Sequence, residues 1–269
     1  RYASRGLGDV YKRQPLFAPG LGGLIQMLLG WPSIFLIMSL LGLLLLLLVF
    51  RDLGETKIIK KNKNTKSSAS FINLFWEAKF WGYSFTLAFS AGTFFSFLGG
   101  APYVATKVYN LNSVVSGLVM GFPAAGYFIG NYLSGRYSKF YGIDYMALRG
   151  ILLVIFGMFI CLVITVFYRD TPYFFFGLCS FVGLGNGLII PNASVGILSV
   201  NENLSGTAGG IGNAIMIGTG AILASLTSYY LENQTSSSYL VFIMLLSGAL
   251  SYTSLYICLL YTSPSPRDA

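Results

Sequence analysis

Side chains that could perform chemistry are scarce in this sequence. Its 269 residues include nine Asp and Glu residues and no His, so general acids, general bases and the usual metal ligands are few. The three cysteines do not have the spacing of a zinc site or of a disulfide framework. An integral membrane enzyme would need acids or histidines clustered at a membrane face, and no such cluster occurs. We therefore predict no enzyme, no bound metal and no cofactor.

The ionisable residues that do occur fall near the ends of apolar segments or between them. They are Glu77, Lys79, Lys107, Arg136, Asp144, Arg149, Arg169 and Asp170. A charged group at the centre of a membrane helix would be the first candidate for a functional site. The sequence predicts that no mid-membrane carboxylate couples an ion to transport in this stretch.

Uncharged polar and aromatic side chains inside the apolar segments are the remaining candidates for a binding cavity. Asn186 and Asn213 lie mid-segment, where an unpaired amide would be costly, so each must face another helix or water. An interhelical hydrogen bond is the commoner explanation for such an amide, and Tyr or Phe near a segment end is more often an interface anchor. The cavity candidates are Phe94, Phe97, Tyr103, Tyr127, Asn131, Asn186, Asn192 and Asn213.

Four of the apolar segments also contain clusters of glycine, three of them together with proline. These are residues 18–23, 121–130, 183–196 and 206–221. Each cluster alone is explained by tight helix packing. Four of them in one chain favour a transporter, in which broken or closely packed helices surround a central cavity.

Composition and segment length define the fold class. The chain is 55% hydrophobic and only 10% charged, with a mean hydropathy of +0.69, which is typical of an integral membrane protein. Apolar runs of about 20 residues are membrane helices, because only a helix satisfies its own backbone within the bilayer. We predict an all-α polytopic bundle with one partial span, Pro15–Leu29, and seven full spans: Ser33–Phe50, Phe80–Tyr103, Val114–Leu133, Met146–Phe167, Tyr173–Leu198, Ser205–Tyr230 and Tyr239–Ile257.

The long polar connection between the second and third of these segments, residues 52–79, is rich in lysine and is predicted to be a cytosolic linker. Lys and Arg accumulate on its side of the membrane, whereas Lys107 and Arg169 are the basic residues of the opposite loops. The C-terminus is then cytosolic as well. The net charge of +8 is spread over loops on one membrane face, so anionic lipid headgroups rather than nucleic acid are the expected partner of the linker.

The motifs, taken in order, resemble the major facilitator superfamily, and more narrowly its Bcr/CflA group of bacterial multidrug/proton antiporters. The resemblance covers Pro15–Ile257. "APGLGG" is similar to the end of the antiporter motif of helix five, with Ala18 in place of the first glycine; the matching residues are Ala18, Pro19, Gly22 and Gly23. "GNYLSGRYSKFYG" is similar to the loop between helices eight and nine, with Gly130, Arg136, Lys139 and Gly142 matching and Gly135 in place of an acid.

The resemblance implies helices five to twelve of a twelve-helix transporter in a bacterial inner membrane. Residues 15–51 would be the end of the N-terminal half, and residues 80–257 the complete C-terminal six-helix half. It implies proton-coupled efflux of drugs or small hydrophobic or cationic compounds by a monomer. Its proton-coupling acids would lie in helices one to four, so this chain alone would not transport. The alternative is a permease for sugars, amino acids or peptides. A receptor would normally need an attached soluble domain.

Back-translation explains the two ends of the chain together. Codons can be chosen so that the DNA encoding Cys258–Asp268 is the reverse complement of the DNA encoding Ser4–Gln14. This looks like a transposase-end adapter from a sequencing library, translated with the reading frame. We therefore expect residues 1–14 and 258–269 to be adapter sequence without a defined position, and the functional interpretation to apply to Pro15–Ile257.

Overall fold

A computed structural model describes residues 25, 29–30, 32–52, 74–168, 171–201, 204–232 and 236–262. The chain divides into two compact units, Arg1–Lys66 and Ser67–Ala269. The described residues of the first unit include one long helix, α1 (Pro32–Asp52). Proline at its first position suits a helix start, because the N–H of a residue there has no hydrogen-bond partner within the helix. The predicted span Ser33–Phe50 is confirmed. The partial span Pro15–Leu29 and the linker 52–79 lie mostly outside the described residues.

The second unit is all-helical in its described part, as predicted. Its helices are α2 (Ala78–Tyr103), a π-helical segment (Val104–Val108), α3 (Ser113–Val119), α4 (Gly121–Tyr141), α5 (Ile143–Phe167), α6 (Pro172–Leu198), α7 (Ser205–Leu231) and α8 (Ser238–Thr262). Across both units, six of the described helices are long and apolar enough to cross a membrane. The polytopic bundle is therefore confirmed.

The predicted single span Val114–Leu133 is wrong in its limits. Two helices, α3 and α4, occupy this stretch, and they meet at Met120. Pro123 in the first turn of α4 has no N–H to donate to the carbonyl of Val119, so one continuous helix would lose a hydrogen bond there. At its other end α4 continues eight residues past Leu133.

The expected loop in "GNYLSGRYSKFYG" is also corrected by this extension. Gly130, Arg136 and Lys139 all lie within α4, and Gly142 alone connects α4 to α5. Gly142 has φ of +86°, a left-handed backbone conformation that favours glycine. The reversal between the two helices thus needs a single residue.

Helix α2 ends in a π-helical segment that the apolar pattern did not predict. The Tyr109 N–H donates to the Val104 carbonyl at 3.0 Å, and the Leu111 N–H donates to the Ala105 carbonyl at 2.9 Å. Pro102 precedes this segment within α2 and has no N–H to support the regular pattern. The register changes from α-helical to π-helical two residues after the proline.

Helix α2 lies at the centre of the unit and contacts α6, α7 and α8, while α6 also packs between α4 and α5. The buried aromatic residues Phe80, Phe97, Phe175 and Phe176 belong to the core that these helices share. Among the described helices of the unit, α7 is the least enclosed of the membrane-length ones.

Helix α8 continues to Thr262, beyond the predicted span end at Ile257. Cys258 is buried, and a methyl group placed on Gly82 would lie 2.3 Å from its Cβ atom. The helix that packs on α2 thus continues through residues 258–262, and the adapter origin of residues 258–269 stays a prediction. Residues 1–14 and 263–269 lie outside the described residues.

Candidate functional site

Asn186 is buried between α6 and α2 and is fully engaged there. The hydroxyl of Ser90 donates to its Oδ1 atom at 2.5 Å, and its Nδ2 atom donates to the hydroxyl of Thr93 at 3.2 Å. The Thr93 hydroxyl in turn donates to the carbonyl of Ser90 at 2.6 Å. The predicted interhelical hydrogen bond is confirmed, and the amide serves to join α2 to α6.

Asn192 has a similar role one and a half turns further along α6. Its Nδ2 atom donates to the hydroxyl of Ser134 on α4 at 2.8 Å, and to the carbonyl of Leu188 in its own helix at 2.6 Å. Since its side chain is buried, it holds α4 against α6 from the inside of the unit.

Glycines allow α4 and α6 to approach closely along the same contact. A methyl group on Gly183 would lie 1.7 Å from the Pro123 carbonyl oxygen, and one on Gly130 would lie 2.2 Å from the Leu184 carbonyl oxygen. Gly126 and Gly187 meet backbone atoms at comparable distances. The four residues form two pairs at four-residue spacing, one pair on each helix, which is a close-packing pattern of membrane helices.

The aromatic candidates of α2 occupy different environments. Phe97 is buried and packs edge-on against Phe176, with ring centroids 6.3 Å apart. Phe94 is half-buried and stacks on Phe97 at 6.4 Å. Tyr103, at the end of the helix, donates its hydroxyl to the Glu232 carbonyl at 3.0 Å. Of these three, Phe94 and Tyr103 are partly exposed, whereas Phe97 belongs to the core.

The remaining cavity candidates keep polar surface outside the core. Tyr127 and Asn131 are half-buried on α4, and the Asn131 amide donates to the Tyr127 carbonyl at 3.0 Å. Asn213 is exposed on α7, between Gly210 and Gly218, around whose Cα atoms there is open space. Phe94, Tyr127, Asn131 and Asn213 are thus predicted site residues that a small molecule can reach. Tyr103 is also partly exposed, but its hydroxyl is bonded to the Glu232 carbonyl.

The loop-motif residues lie at the end of α4. Arg136 is exposed; its guanidinium donates to the hydroxyl of Tyr132 at 3.3 Å and lies 5.8 Å from the ring centre of Tyr137. Lys139 is exposed and Gly142 forms the turn. The antiporter-motif residues Ala18, Pro19, Gly22 and Gly23 lie outside the described residues.

A polar pair that the sequence did not predict joins the second turn of α2 to the first turn of α5. The hydroxyl of Tyr83 donates to the carboxylate of Asp144, and the ring of Tyr83 lies over Gly196 of α6, where a side chain would collide with it. Sixty-one residues separate the two partners, so no local pattern could have paired them. The sequence does show that Asp144 is an acid in the first turn of an apolar helix, where the helix dipole stabilises a negative charge.

The candidate side chains in this unit are suited to binding a molecule rather than to catalysing a reaction. Within the described residues, no group of three or more His, Cys, Asp or Glu side chains is placed to hold a metal ion. The reachable candidates offer amide groups and aromatic rings.

Comparison with known proteins gives a consistent set of relatives. The family model described as Major Facilitator Superfamily matches residues 15–225. The chain is 30% identical over 226 residues to a "Bicyclomycin resistance protein homolog" of Haemophilus influenzae, covering 81% of this chain and 56% of that protein. It is 26% identical over 243 residues to "Multidrug resistance protein D" of Escherichia coli, covering 88% and 59%. An "Uncharacterized transporter" of Rickettsia felis is 24% identical over 254 residues, covering 90% and 63%.

Proposed function

Because this chain belongs to the major facilitator superfamily, we propose that it is part of a secondary active transporter that exports drugs or other small hydrophobic or cationic compounds in exchange for protons. It is a multi-pass membrane protein with transport relatives, which points to a transporter rather than an enzyme. The observation that carries the proposal is the 30% identity, over 81% of this chain, to a relative whose name refers to bicyclomycin resistance.

The reachable candidate residues support this substrate class. Phe94 and Tyr127 offer partly open aromatic rings, and Asn131 and Asn213 offer amides. Aromatic surface with a few polar groups is typical of pockets for apolar small molecules, and aromatic faces also attract cations. In the proposal these four side chains contact the exported compound, while Asn186, Asn192 and Phe97 keep the helices in place behind them.

Two glycine-rich surfaces support a rocking mechanism. The close contact of α4 with α6 makes those helices move together. On α7 the exposed face includes Gly206, Gly210 and Gly218, around which there is open space. We propose that this face is a moving contact surface of the complete transporter, since small residues allow close approach.

Proton coupling is assigned in this proposal to segments outside the described residues. The carboxylates of the described helices lie at helix ends, as Asp52 and Asp144 show, and Asp144 accepts a hydrogen bond from Tyr83. A coupling acid is expected at mid-membrane depth, where its protonation changes the charge inside the bilayer. The family resemblance assigns such acids to helices one to four.

The chain spans between half and two-thirds of the length of the relatives reported above: 56%, 59% and 63%. We propose that the complete transporter is a monomer of the bacterial inner membrane, with residues 52–79 in the cytosol, and that this chain alone does not export.

An efflux assay tests the proposal. The chain and a complete gene that includes upstream coding sequence are expressed separately in a bacterium lacking its main drug pumps. We expect the complete gene to raise resistance to several drugs and to lower accumulation of a fluorescent cation, and a protonophore to abolish that effect. The chain alone should give neither, although it reaches the membrane.

Two results would contradict this assignment. Export by the chain alone would show that the missing segments are dispensable. Proton-driven uptake of a sugar, amino acid or peptide by the complete protein, with no change in drug resistance, would support the permease alternative instead.

A further inference from the structure

Helix α5 carries an open groove on the side that faces away from the core. Its volume is about 570 Å³, and it is lined by Arg149, Leu152, Leu153, Ile155, Phe156 and Phe159. Arg149 is its one charged lining residue, and Phe156 and Phe159 are more than half exposed. A groove with one cation at one end and apolar walls along the rest has the polarity of a single amphiphilic molecule.

Arg149 is placed at the end of the groove that is nearest to the membrane surface. It lies six residues after the start of α5 at Ile143, and helical side chains tilt toward the N-terminus. Its guanidinium lies 4.9 Å from the ring centre of Tyr145, one turn nearer that end. A long cationic side chain that reaches outward in this way holds its charge at headgroup level while its stem covers apolar surface.

The length of the groove matches one leaflet. Phe159 is ten residues after Arg149, which corresponds to about 15 Å along a helix that rises about 1.5 Å per residue. The hydrocarbon core of a bilayer is about 30 Å thick, so one leaflet accounts for about 15 Å of it. The groove from Arg149 to Phe159 therefore extends over about the depth of one leaflet.

The surroundings of Arg149 favour an anion. Tyr137, Tyr141 and Tyr145 form a continuous stack, with ring centres 6.2 and 5.4 Å apart, that leads from α4 to Arg149. Arg136 lies over the ring of Tyr137, at the far end of this stack and outside the groove. The nearest acid along α5, Asp144, accepts a hydrogen bond from Tyr83 on α2. Among the described residues, no carboxylate forms an ion pair with Arg149.

We propose that this groove binds an anionic phospholipid, with the phosphate at Arg149 and an acyl chain along Leu152, Phe156 and Phe159. The site lies on the outer surface of α5 and is separate from the cavity candidates on α2, α4 and α7. The proposal requires that the chain spans a membrane, which its family and helices show, and it does not depend on which compound is transported.

Native mass spectrometry of the purified chain in a mild detergent tests this site. The chain is titrated with phosphatidylglycerol, with phosphatidylcholine of the same acyl chains, and with inorganic phosphate. We expect one phosphatidylglycerol to be retained in preference to phosphatidylcholine. Arg149→Gln should weaken its binding about fivefold, the factor that one interfacial charge contributes, and Arg149→Lys should restore most of it. Inorganic phosphate should not displace the lipid, since it has no acyl chain.

Arg136→Gln is the matched control, because it removes the same charge from the same end of the unit outside the groove. It should leave phosphatidylglycerol binding within twofold of the unmodified chain, and circular dichroism should show that all variants remain helical. Equal losses of phosphatidylglycerol binding in Arg136→Gln and Arg149→Gln would overturn the proposed site, because they would indicate a general effect of positive charge. Equal retention of phosphatidylcholine, or displacement of the lipid by inorganic phosphate, would overturn it as well.

Discussion

Asn186 and Asn213 each lie near the middle of a membrane-length helix, and their environments are opposite. Asn186 is buried and bonded to Ser90 and Thr93 on the neighbouring helix, whereas Asn213 is exposed on α7. A buried amide that satisfies a neighbouring hydroxyl cannot be removed without leaving that hydroxyl unpaired. The same residue type therefore has a structural role at one position and a proposed substrate contact at the other.

Substituting each asparagine by alanine separates the two roles. Asn186→Ala should lower the free energy of unfolding of the chain in detergent by about 1–2 kcal/mol, because the Ser90 hydroxyl loses its acceptor and the hydrogen bonds between α2 and α6 at this point are lost. Asn213→Ala should leave that free energy nearly unchanged and should reduce drug efflux by the complete transporter. Denaturant unfolding and an accumulation assay measure the two effects. Loss of stability in Asn213→Ala, without loss of efflux, would contradict the assignment.

At the scale of elements, the contact between α4 and α6 depends on backbone-to-backbone approach. Gly183→Ala would place a methyl group 1.7 Å from the Pro123 carbonyl oxygen, and a carbonyl cannot rotate away as a flexible side chain would. The helices must then separate, and overpacking of this kind costs about 1–3 kcal/mol. We expect a loss of that size in the free energy of unfolding of the chain in detergent.

Gly135→Ala on α4 is the control for this prediction. The space around Gly135 is open, so the added methyl group collides with nothing and alanine favours the helix by up to about 1 kcal/mol. This variant should be as stable as the unmodified chain or slightly more stable. Equal destabilisation by the two substitutions would show that the α4–α6 contact is looser than the structure indicates.

The glycine clusters illustrate how far elements can be predicted. Clusters 121–130 and 183–196 make the close helix contacts that tight packing predicted, through Gly126, Gly130, Gly183 and Gly187. In cluster 206–221 several glycines face open space, and cluster 18–23 lies outside the described residues. The end of α4 was not predictable in the same way. "GNYLSGRYSKFY" is polar enough to be interpreted as a loop, yet it remains helical where Gly130 and Ser134 face α6 and where Arg136, Lys139 and the tyrosines are exposed or partly exposed.

At the scale of the whole molecule, the distribution of basic residues predicts the orientation of the second unit. The start of α5 contacts α2 near its start through Tyr83 and Asp144, and Lys139 lies in the last turn of α4, just before α5. Lys139 is therefore at that end of the unit, whereas Lys107 lies in the π-helical segment at the opposite end of α2. Both lysines are exposed. The positive-inside rule assigns the Lys139 end to the cytosol.

Cysteine labelling tests this orientation with little background, because Cys161, Cys179 and Cys258 are all buried. A membrane-impermeant maleimide should label Lys139→Cys in inverted vesicles and Lys107→Cys in right-side-out vesicles. The unmodified chain should remain unlabelled in both. The reverse pattern, or labelling of both positions from one side, would contradict the proposed topology.

The sequence by itself determined that this is a multi-pass helical membrane protein of the major facilitator superfamily, since apolar run length and motif order are properties of neighbouring residues. The tertiary structure alone decided which asparagine is buried, where Tyr83 meets Asp144, and that α5 carries a groove ending at Arg149. These depend on how helices distant in the sequence are rotated and placed against each other. The hydrophobicity of successive residues determines where a membrane helix forms. The packing of the helices determines which partner each polar side chain contacts.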